Sequence, residues 1–450
     1  MNSNYIKYNL LLLLASPLIL IFLLQRYLSG KSRQGWSERW GVLPDKLTWK
    51  PGSQPRIWIH AVSAGETVAA IPIIKELRKA LPKCEILLSV ITPAGYEIAA
   101  QQQSSLIDGI FFAPFDFPHV VKKVVKAIRP ELFVSMESEL WPNLLHELKR
   151  TGVKTAMANG RISEKSFQRS SKYAGWLYGW ALSNMDRLLV QSEADADRIK
   201  TLGGGLKDPE RVLVIGNSKF DQEVVRLSSS EASDLRRSVG FPEKAPIFVA
   251  GSSRSQEEES ILIEAYKSMH ERFPELCLLI APRQIDRAPE LEVTMKAAGL
   301  EPVRKTQLSK SPNLEVRHLI LDTMGELANM YALATFAFVG NSFDPVVKGG
   351  GQNLLQPLAH GKPVLFGPKH ATIRSEVALV LEAGVGFQVN NAKELSDEGI
   401  RLLENEERCN EISVKALALI VAQKGVSKRY AVLIAELLND RSDFSLSKKN

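Results

Sequence analysis

Cysteine is scarce: Cys84, Cys277 and Cys409 are the only three in 450 residues, with no CxxC pair and no histidine at ligand spacing. That excludes a disulfide scaffold and a cysteine-based zinc site, and it fits a reducing compartment. Also missing are a Walker loop, a GxGxxG after the first apolar run, an HExxH and an aspartate pair of the DxD type. ATP and NAD chemistry lose ground, as does a metal-dependent transferase, so no cofactor and no metal are expected. There is no tandem repeat or low-complexity tract. The 45% of apolar and 24% of charged residues rule out a disordered chain or a polytopic transporter. The length suggests two to three domains of ~100–200 residues each.

Acid is nearly absent from one end. Through Trp40, Glu38 faces Lys7, Arg26, Lys31, Arg33 and Arg39, so over half of the net charge of +7 lies there. These cations flank the most apolar run of the chain, residues 10–24 (LLLLLASPLILIFLL). Fifteen helical residues rise about 22 Å, short of a ~30 Å hydrocarbon core. With Tyr5, Tyr8, Tyr27 and Leu28 added, a tilted or shallow anchor is expected. The basic residues follow the run and no A-x-A-like site succeeds it, which points to a retained anchor rather than a cleaved signal. Distal cations predict that the remaining chain stays on the cytoplasmic side of the membrane. They also predict anionic lipid headgroups as partners and account for a pI of about 9.1 without nucleic acid.

After a Pro-bearing connector at 43–55, apolar β-rich runs alternate with amphipathic stretches. Strands are predicted at 56–62, 85–91, 109–115, 131–136, 154–159, 187–192 and 212–217. A polar interval at 218–245 reads as an interdomain segment, and the rhythm restarts at 246–252, 275–282, 315–321, 336–341, 363–368 and 386–389. This βαβα order implies α/β architecture with parallel, doubly wound sheets. The expected fold is two Rossmann-like domains facing each other across a cleft. The chain divides into an anchor with its basic flank (1–34), a first domain (35–225), a second (226–425) and a C-terminal helix and tail (426–450). Ligands in such sheets bind beyond the carboxyl ends of the strands, so strand-to-helix turns are where chemistry is sought.

The first such turn runs from His60 to Glu66 (HAVSAGE), with Ser63 placed to cap the following helix. Glu66 either complements the helix dipole or works as a base at the cleft edge; His60 reads as a packed core histidine. The fourth turn sets Glu137 and Glu139 one residue apart before Trp141-Pro142. Two such carboxylates are a solvated capping cluster or a functional pair that needs donors. Asn159-Gly160-Arg161 ends the next strand. Lys219 ends the last, either solvated or facing a phosphate or developing negative charge. In the second half, Gly251-Ser252-Ser253 precedes an acidic helix (QEEES), and Pro282-Arg283 ends a strand with Arg287 four residues on. Arginine grips phosphate bidentately. Residues 322–326 (DTMGE) open a helix whose free N–H groups invite an anion, and Gly349-Gly350-Gly351 leads into Gln352 to Pro357 (QNLLQP). A glycine turn, polar side chains and a helix start together can hold a sugar nucleotide.

These motifs together resemble the family of Kdo transferases, which attach 3-deoxy-D-manno-oct-2-ulosonic acid from CMP-Kdo to a lipid A precursor. HAVSAGE, MESELWPN, NGRISEKSF, GNSKFD, DTMGELANMY with FVGNSF, and LFGP recur in the family's order, from Gly35-x-x-Glu38-Arg39 to about Val389. The resemblance implies a GT-B fold and inverting, metal-independent transfer at the inner membrane as part of lipopolysaccharide core biosynthesis. It assigns the general base to Glu66, a second catalytic acid to Glu137 and an assisting lysine to Lys219. CMP contacts fall on Pro282, Arg283, Met324, Gly325, Glu326, Asn353, Leu354, Leu355 and Gln356. The implied partners are a CMP-sugar donor and a membrane glycolipid acceptor.

Three departures lie on the donor side. The family's GGHNPLEP is GGQNLLQP here, so Gln352 and Gln356 replace a histidine and an acid; APRHxER is APRQIDR, and GSTHxGEE is GSSRSQEEE. Gln356 retains donor and acceptor capacity toward a diol. Competing expectations are a GT-B transferase using another nucleotide sugar, a non-catalytic glycolipid-binding relative, and a sugar-nucleotide epimerase that the anchor disfavours.

Overall fold

The structure, a computed structural model, describes residues 3–30, 32–204, 208–221, 226–308, 315–343 and 350–446. Lys31 and Gly349 fall outside them. The chain divides into two compact units, 1–222 with 423–450, and 223–422.

In the first unit the strands are β1 (Arg56–His60), β2 (Glu85–Val90), β3 (Gly109–Phe112), β4 (Leu132–Met136), β5 (Lys154–Gly160), β6 (Arg187–Val190) and β7 (Val212–Val214). They form one parallel sheet in the order 3-2-1-4-5-6-7. Every residue of β1 and β4 is buried, as expected where helices cover both faces of a parallel sheet. Trp58 of β1 packs edge-on against Phe133 of β4, ring centroids 5.2 Å apart.

The second unit repeats the plan with β8 (Ile247–Ser253), β9 (Cys277–Pro282), β10 (Pro302–Arg304), β11 (His318–Ile320), β12 (Phe336–Val339), β13 (Val364–Phe366) and β14 (Gly386–Gln388). Its parallel order is 10-11-9-8-12-13-14. Two doubly wound sheets in succession are the GT-B plan that the motifs implied. The predicted strands are present, most of them trimmed at their carboxyl ends where the chain turns toward a helix. β10 was not foreseen: three residues long and begun by a proline, it pairs only with β11, at the kind of edge position where a strand tolerates proline.

Three segments carry detail beyond the expectation. The polar interval at 218–245 contains the division between the units, and among its described residues Ser218–Asp221 is a 3-10 turn, while Ser228 with Glu231 forms a reciprocal capping box that starts the helix Ser229–Ser238. The C-terminal helix Val426–Leu446 joins the first unit, where Val426, Tyr430 and Ile434 share a core with Ile73, Ile74 and Leu77. Asp221 fastens its start by accepting the N–H groups of Gly425 (2.7 Å) and Ser427. The N-terminal helix, Ser3–Leu28, has 26 residues and so a length of about 39 Å. It exceeds the apolar run, which removes the length objection to crossing a bilayer.

The Gly35-x-x-Glu38-Arg39 block clamps the carboxyl end of β3. Glu38 accepts the N–H of Phe112 (2.6 Å), and buried Arg39 lies over the Phe112 ring while donating to the Ile91 carbonyl (2.6 Å). Gly35 has φ of +66°, and a Cβ there would collide with the Phe112 ring.

Candidate active site

In the first sheet β1 and β4 are neighbours whose following connections run to opposite sides, so their carboxyl ends flank the switch point. Glu66 follows β1, in the first turn of the helix Ala64–Ala80, and Ser63 caps that helix by accepting the Glu66 N–H at 3.3 Å. The Glu66 side chain folds back, accepting the Val62 N–H (2.6 Å) and the Ser63 hydroxyl (3.0 Å). Burial pushes its carboxyl up to about 7, and the charges of Glu137 and Glu139 push the same way, against those two hydrogen bonds. A carboxylate poised near neutrality is suited to receiving a proton.

Glu137 follows β4 with φ of +51°, and Asn159 near the end of the adjacent β5 has φ of +55°. Of the six non-glycine residues with positive φ among the described residues, four are Glu137, Asn159, Ser252 and Asn341. All four sit at the carboxyl ends of β4, β5, β8 and β12. Strain concentrated there marks positions whose backbone is dictated by more than folding. Arg161 pairs with Glu137 (3.1 Å), and Ser138 donates to the Arg161 carbonyl, joining the ends of β4 and β5. Glu139 is not a solvated cap: Trp141 donates to it at 3.2 Å, and burial raises its carboxyl with Glu137 adding to the effect.

Lys219 lies on the turn after β7. Ser218 beside it donates its N–H to Asn159 Oδ1 (3.0 Å) and its hydroxyl to the Ala69 carbonyl (2.8 Å) in the helix that carries Glu66. Glu66, Glu137 and Lys219 thus belong to one hydrogen-bonded edge. His60 is the packed histidine expected, 1% exposed, its Nδ1 2.8 Å from the Ser89 hydroxyl. Burial lowers its pKa to about 4, so the ring is neutral.

The second unit places its expected residues at the carboxyl edge of its own sheet, with corrections. Arg283 is exposed after β9, and its main-chain N–H donates to the Ser253 carbonyl (2.7 Å). Pro282 is buried in β9. Arg287 is committed to Glu259 (2.8 Å) and Glu290, and so is not a free phosphate grip. The helix opened by DTMGE is only Leu327–Met330, four residues, too short to offer a strong dipole. Met324 is 80% exposed, Gly325 has φ of +82°, and Glu326 is bound by Lys305 and Thr323. Leu354 and Leu355 are core side chains, so a ligand would meet only their main chain. Asn353 accepts the N–H of Leu355 (2.9 Å), the first residue of the helix Leu355–Ala359, and Gln356 is half-buried.

The acidic stretch QEEES is not a solvated face. Glu257 is exposed, while Glu258 and Glu259 are wholly buried. Glu258 accepts four main-chain N–H groups: Arg254 at 3.0 Å, Asn341 at 2.9 Å, Ser342 at 3.0 Å and Phe343 at 3.1 Å. It ties the loop after β8 to the loop after β12 across the switch point of that sheet. The Gly351 N–H, donated to the Asn341 carbonyl (2.6 Å), brings the glycine turn to the same place.

Residues 34–222 match the family model described as 3-deoxy-D-manno-octulosonic-acid transferase (kdotransferase). A 3-deoxy-D-manno-octulosonic acid transferase of Chlamydophila psittaci is 31% identical over 369 residues, covering 81% of this chain and 80% of that one. The chain belongs to the Kdo transferase family. The Haemophilus influenzae Kdo transferase is 29% identical over 437 residues, 96% of this chain and 98% of its own. A bifunctional glycosyltransferase/methyltransferase of Fusobacterium nucleatum is 34% identical over 358 residues, and the chain spans 53% of its length. Among solved structures, a putative UDP-N-acetylglucosamine 2-epimerase from Listeria monocytogenes has a TM-score of 0.60 at 12% identity, covering 86% of this chain and 97% of that one. Anabaena HepE in complex with UDP has 0.57 at 16%, covering 88% and 100%. These two likenesses support the fold alone.

In this Kdo glycosyltransferase, residue spacing gives no sign of what Ser218 and Glu258 hold and no role to Asn159 or Arg161. Asn159-Gly160 carried a signal, because asparagine tolerates the left-handed backbone better than most residues. Ser63 offers a direct check on the Glu66 environment. Ser63→Ala removes both a helix cap, costing about 1 kcal/mol, and a hydroxyl that favours the charged Glu66. We expect the acid limb of the rate profile to move to higher pH, read from kcat/KM between pH 5 and 9; an unmoved limb would show that this hydroxyl does not tune Glu66.

Proposed function

We propose that this Kdo transferase moves Kdo from CMP-Kdo to a hydroxyl of a lipid A precursor of the lipid IVA type, with inversion, without a metal ion or other cofactor, at the cytoplasmic face of the inner membrane. The observation that carries the reading is the Glu66 carboxyl, buried, held by Val62 and Ser63 and raised to about 7 at the β1/β4 switch point. In this reading Glu66 takes the acceptor hydroxyl proton as its oxygen bonds to the anomeric carbon. The bond from that carbon to the CMP phosphate oxygen breaks, CMP leaves with the electron pair, and the proton later passes to solvent. Charge at the anomeric carbon rises along this path, and the anion of Glu137, fixed by Arg161, favours it. Lys219 supplies a cation on the same edge. The carboxyl-edge loops of β8, β9, β11 and β12 are the natural seat for the nucleotide, with Arg283 as the exposed cation there.

A second reading, transfer from another nucleotide sugar, is favoured by one observation: neutral Gln356 stands where the family carries an acid. One experiment separates the two. Detergent-solubilised protein is given CMP-Kdo or UDP-sugars with a lipid A precursor, with and without EDTA, and products are read by mass spectrometry. We expect a mass increase of Kdo, from CMP-Kdo alone and unchanged by EDTA. Transfer from a UDP-sugar only would replace the first reading with the second; loss in EDTA would overturn metal independence.

A further inference from the structure

The N-terminal helix is long enough to cross a bilayer, yet both of its ends are docked on its own protein. Tyr5, Tyr8, Asn9, Leu12, Ala15, Ser16, Ile19 and Tyr27 are half-buried and Leu23 is buried, while Leu10, Leu14, Leu18 and Ile21 are exposed. Recurring at intervals of three or four along one side, the shielded positions form a single stripe. At the amino end Tyr8 donates to Asp116 (3.0 Å), Asn9 and Asn143 exchange amide hydrogen bonds at 2.8 and 3.0 Å, and the Tyr5 ring lies 4.3 Å from that of His146. Asp116 is itself anchored by the N–H groups of Asn143 (3.0 Å) and Leu144 (2.9 Å). At the carboxyl end Tyr27 packs on Trp36, which packs on Phe115. Both ends of a helix about 39 Å long therefore rest on the first unit.

A spanning helix must be free of its water-soluble body throughout the hydrocarbon layer, because a body docked along it would be dragged into lipid with its charges. A helix held at both ends by the same unit has no such free length. The opposite side, about 180° away at 100° per residue, is a continuous apolar face that includes Leu10, Leu14, Leu18 and Ile21, the last three 71%, 74% and 64% exposed. Pro17, inside the helix, is also exposed. No acid occurs between residues 3 and 28. Cations border the face: exposed Lys7 over the Trp176 ring, and exposed Arg26 and Arg33 at the far end. Lys172 lies over the largely exposed Tyr173 in the segment just before the neighbouring helix Gly175–Ser183. An apolar stripe with aromatic and basic margins matches the boundary between acyl chains and anionic headgroups.

We infer that the N-terminal helix lies in the plane of the membrane interface, its Leu10–Leu14–Leu18–Ile21 side sunk among the acyl chains and its Tyr5–Tyr27 side docked on the protein. The occupant of the exposed face is a lipid surface rich in anionic headgroups, and the body is held flat against it. This deepens the membrane assignment of the proposed function and rests on it only in supposing a bilayer. Topology decides it. Ser3→Cys and Lys83→Cys, both at exposed positions of the first unit, are made separately in a Cys409→Ser background, since the other two native thiols are buried. Each is treated with a membrane-impermeant maleimide, in intact spheroplasts and in inverted membrane vesicles. For an in-plane helix both sites label from the same side, to a similar extent. Ser3→Cys labelled from the side opposite Lys83→Cys means a spanning helix and overturns the inference. So does full-length protein that stays in the supernatant when anionic vesicles are pelleted. Neither readout involves sugar transfer, so failure here is distinguishable from failure of the transferase assignment.

Discussion

Glu66→Gln is expected to lower kcat by about 10²- to 10⁴-fold, the usual worth of a positioned general base, with little change in KM. Glutamine retains a carbonyl that can accept the Val62 N–H, so the helix start is kept while proton acceptance is lost. The wild-type profile carries the signature of the same group. With the carboxyl raised to about 7, kcat/KM should rise about tenfold per pH unit up to neutrality and level above it, whereas the variant should be flat. Stability moves oppositely. The folded carboxyl holds its proton more tightly than the unfolded one, so the folded state binds more protons between pH 4.5 and about 7. Stability is highest below that window and falls as pH rises through it, by about 3 kcal/mol at most. Glu66→Gln should remove this slope and make the protein more stable than wild type at pH 8, an exchange of stability for activity seen at many active sites. Denaturant titrations at pH 5 and 8 beside initial rates check both halves. A variant with wild-type rates means another group takes the proton.

The sheets were legible because parallel strands covered on both sides must be apolar throughout, as RIWIH and LFVSM are. β10 was not, since three residues begun by proline carry no such run. The candidate edge was legible in part. Glu66 and Glu137 were conspicuous as acids directly after apolar strands, and ordered family motifs gave them roles. The sequence does not display what holds them. Ser218 reaches Ala69 across 149 residues, and Asp221 meets Gly425 across 204; such pairs depend on how the first unit closes on itself. Arg287 looked like a phosphate ligand because its partner Glu259 lies 28 residues away. Leu354 and Leu355 carried motif positions, yet their side chains went to the core.

Among the adjacent acids Glu257, Glu258 and Glu259, chemistry offers no distinction, and helix phase decides. The first points to solvent, and the others point inward to partners that residue spacing cannot reveal. The consequence is large at Glu258. Glu258→Ala leaves four main-chain donors at the ends of β8 and β12 without an acceptor. Each buried unsatisfied donor costs roughly 1–3 kcal/mol, and partial relaxation keeps the total below the sum; we expect a loss of about 4 kcal/mol. For a unit of 200 residues that corresponds to a Tm lower by roughly 10 °C. Glu258→Gln should recover only part, because its amide nitrogen would confront N–H groups that need an oxygen. Glu257→Ala, next door on the exposed side, should change stability by less than about 0.5 kcal/mol. The loops Glu258 joins include Asn341, which receives the Gly351 N–H at 2.6 Å. Loosening them should therefore also weaken CMP binding at temperatures where the variant is still folded, measured by calorimetric titration below its transition. Equal melting of Glu258→Ala and Glu257→Ala would show that these four bonds do not hold the second unit together. Normal CMP affinity in a destabilised Glu258→Ala would confine the residue to folding and place the nucleotide elsewhere on the sheet edge.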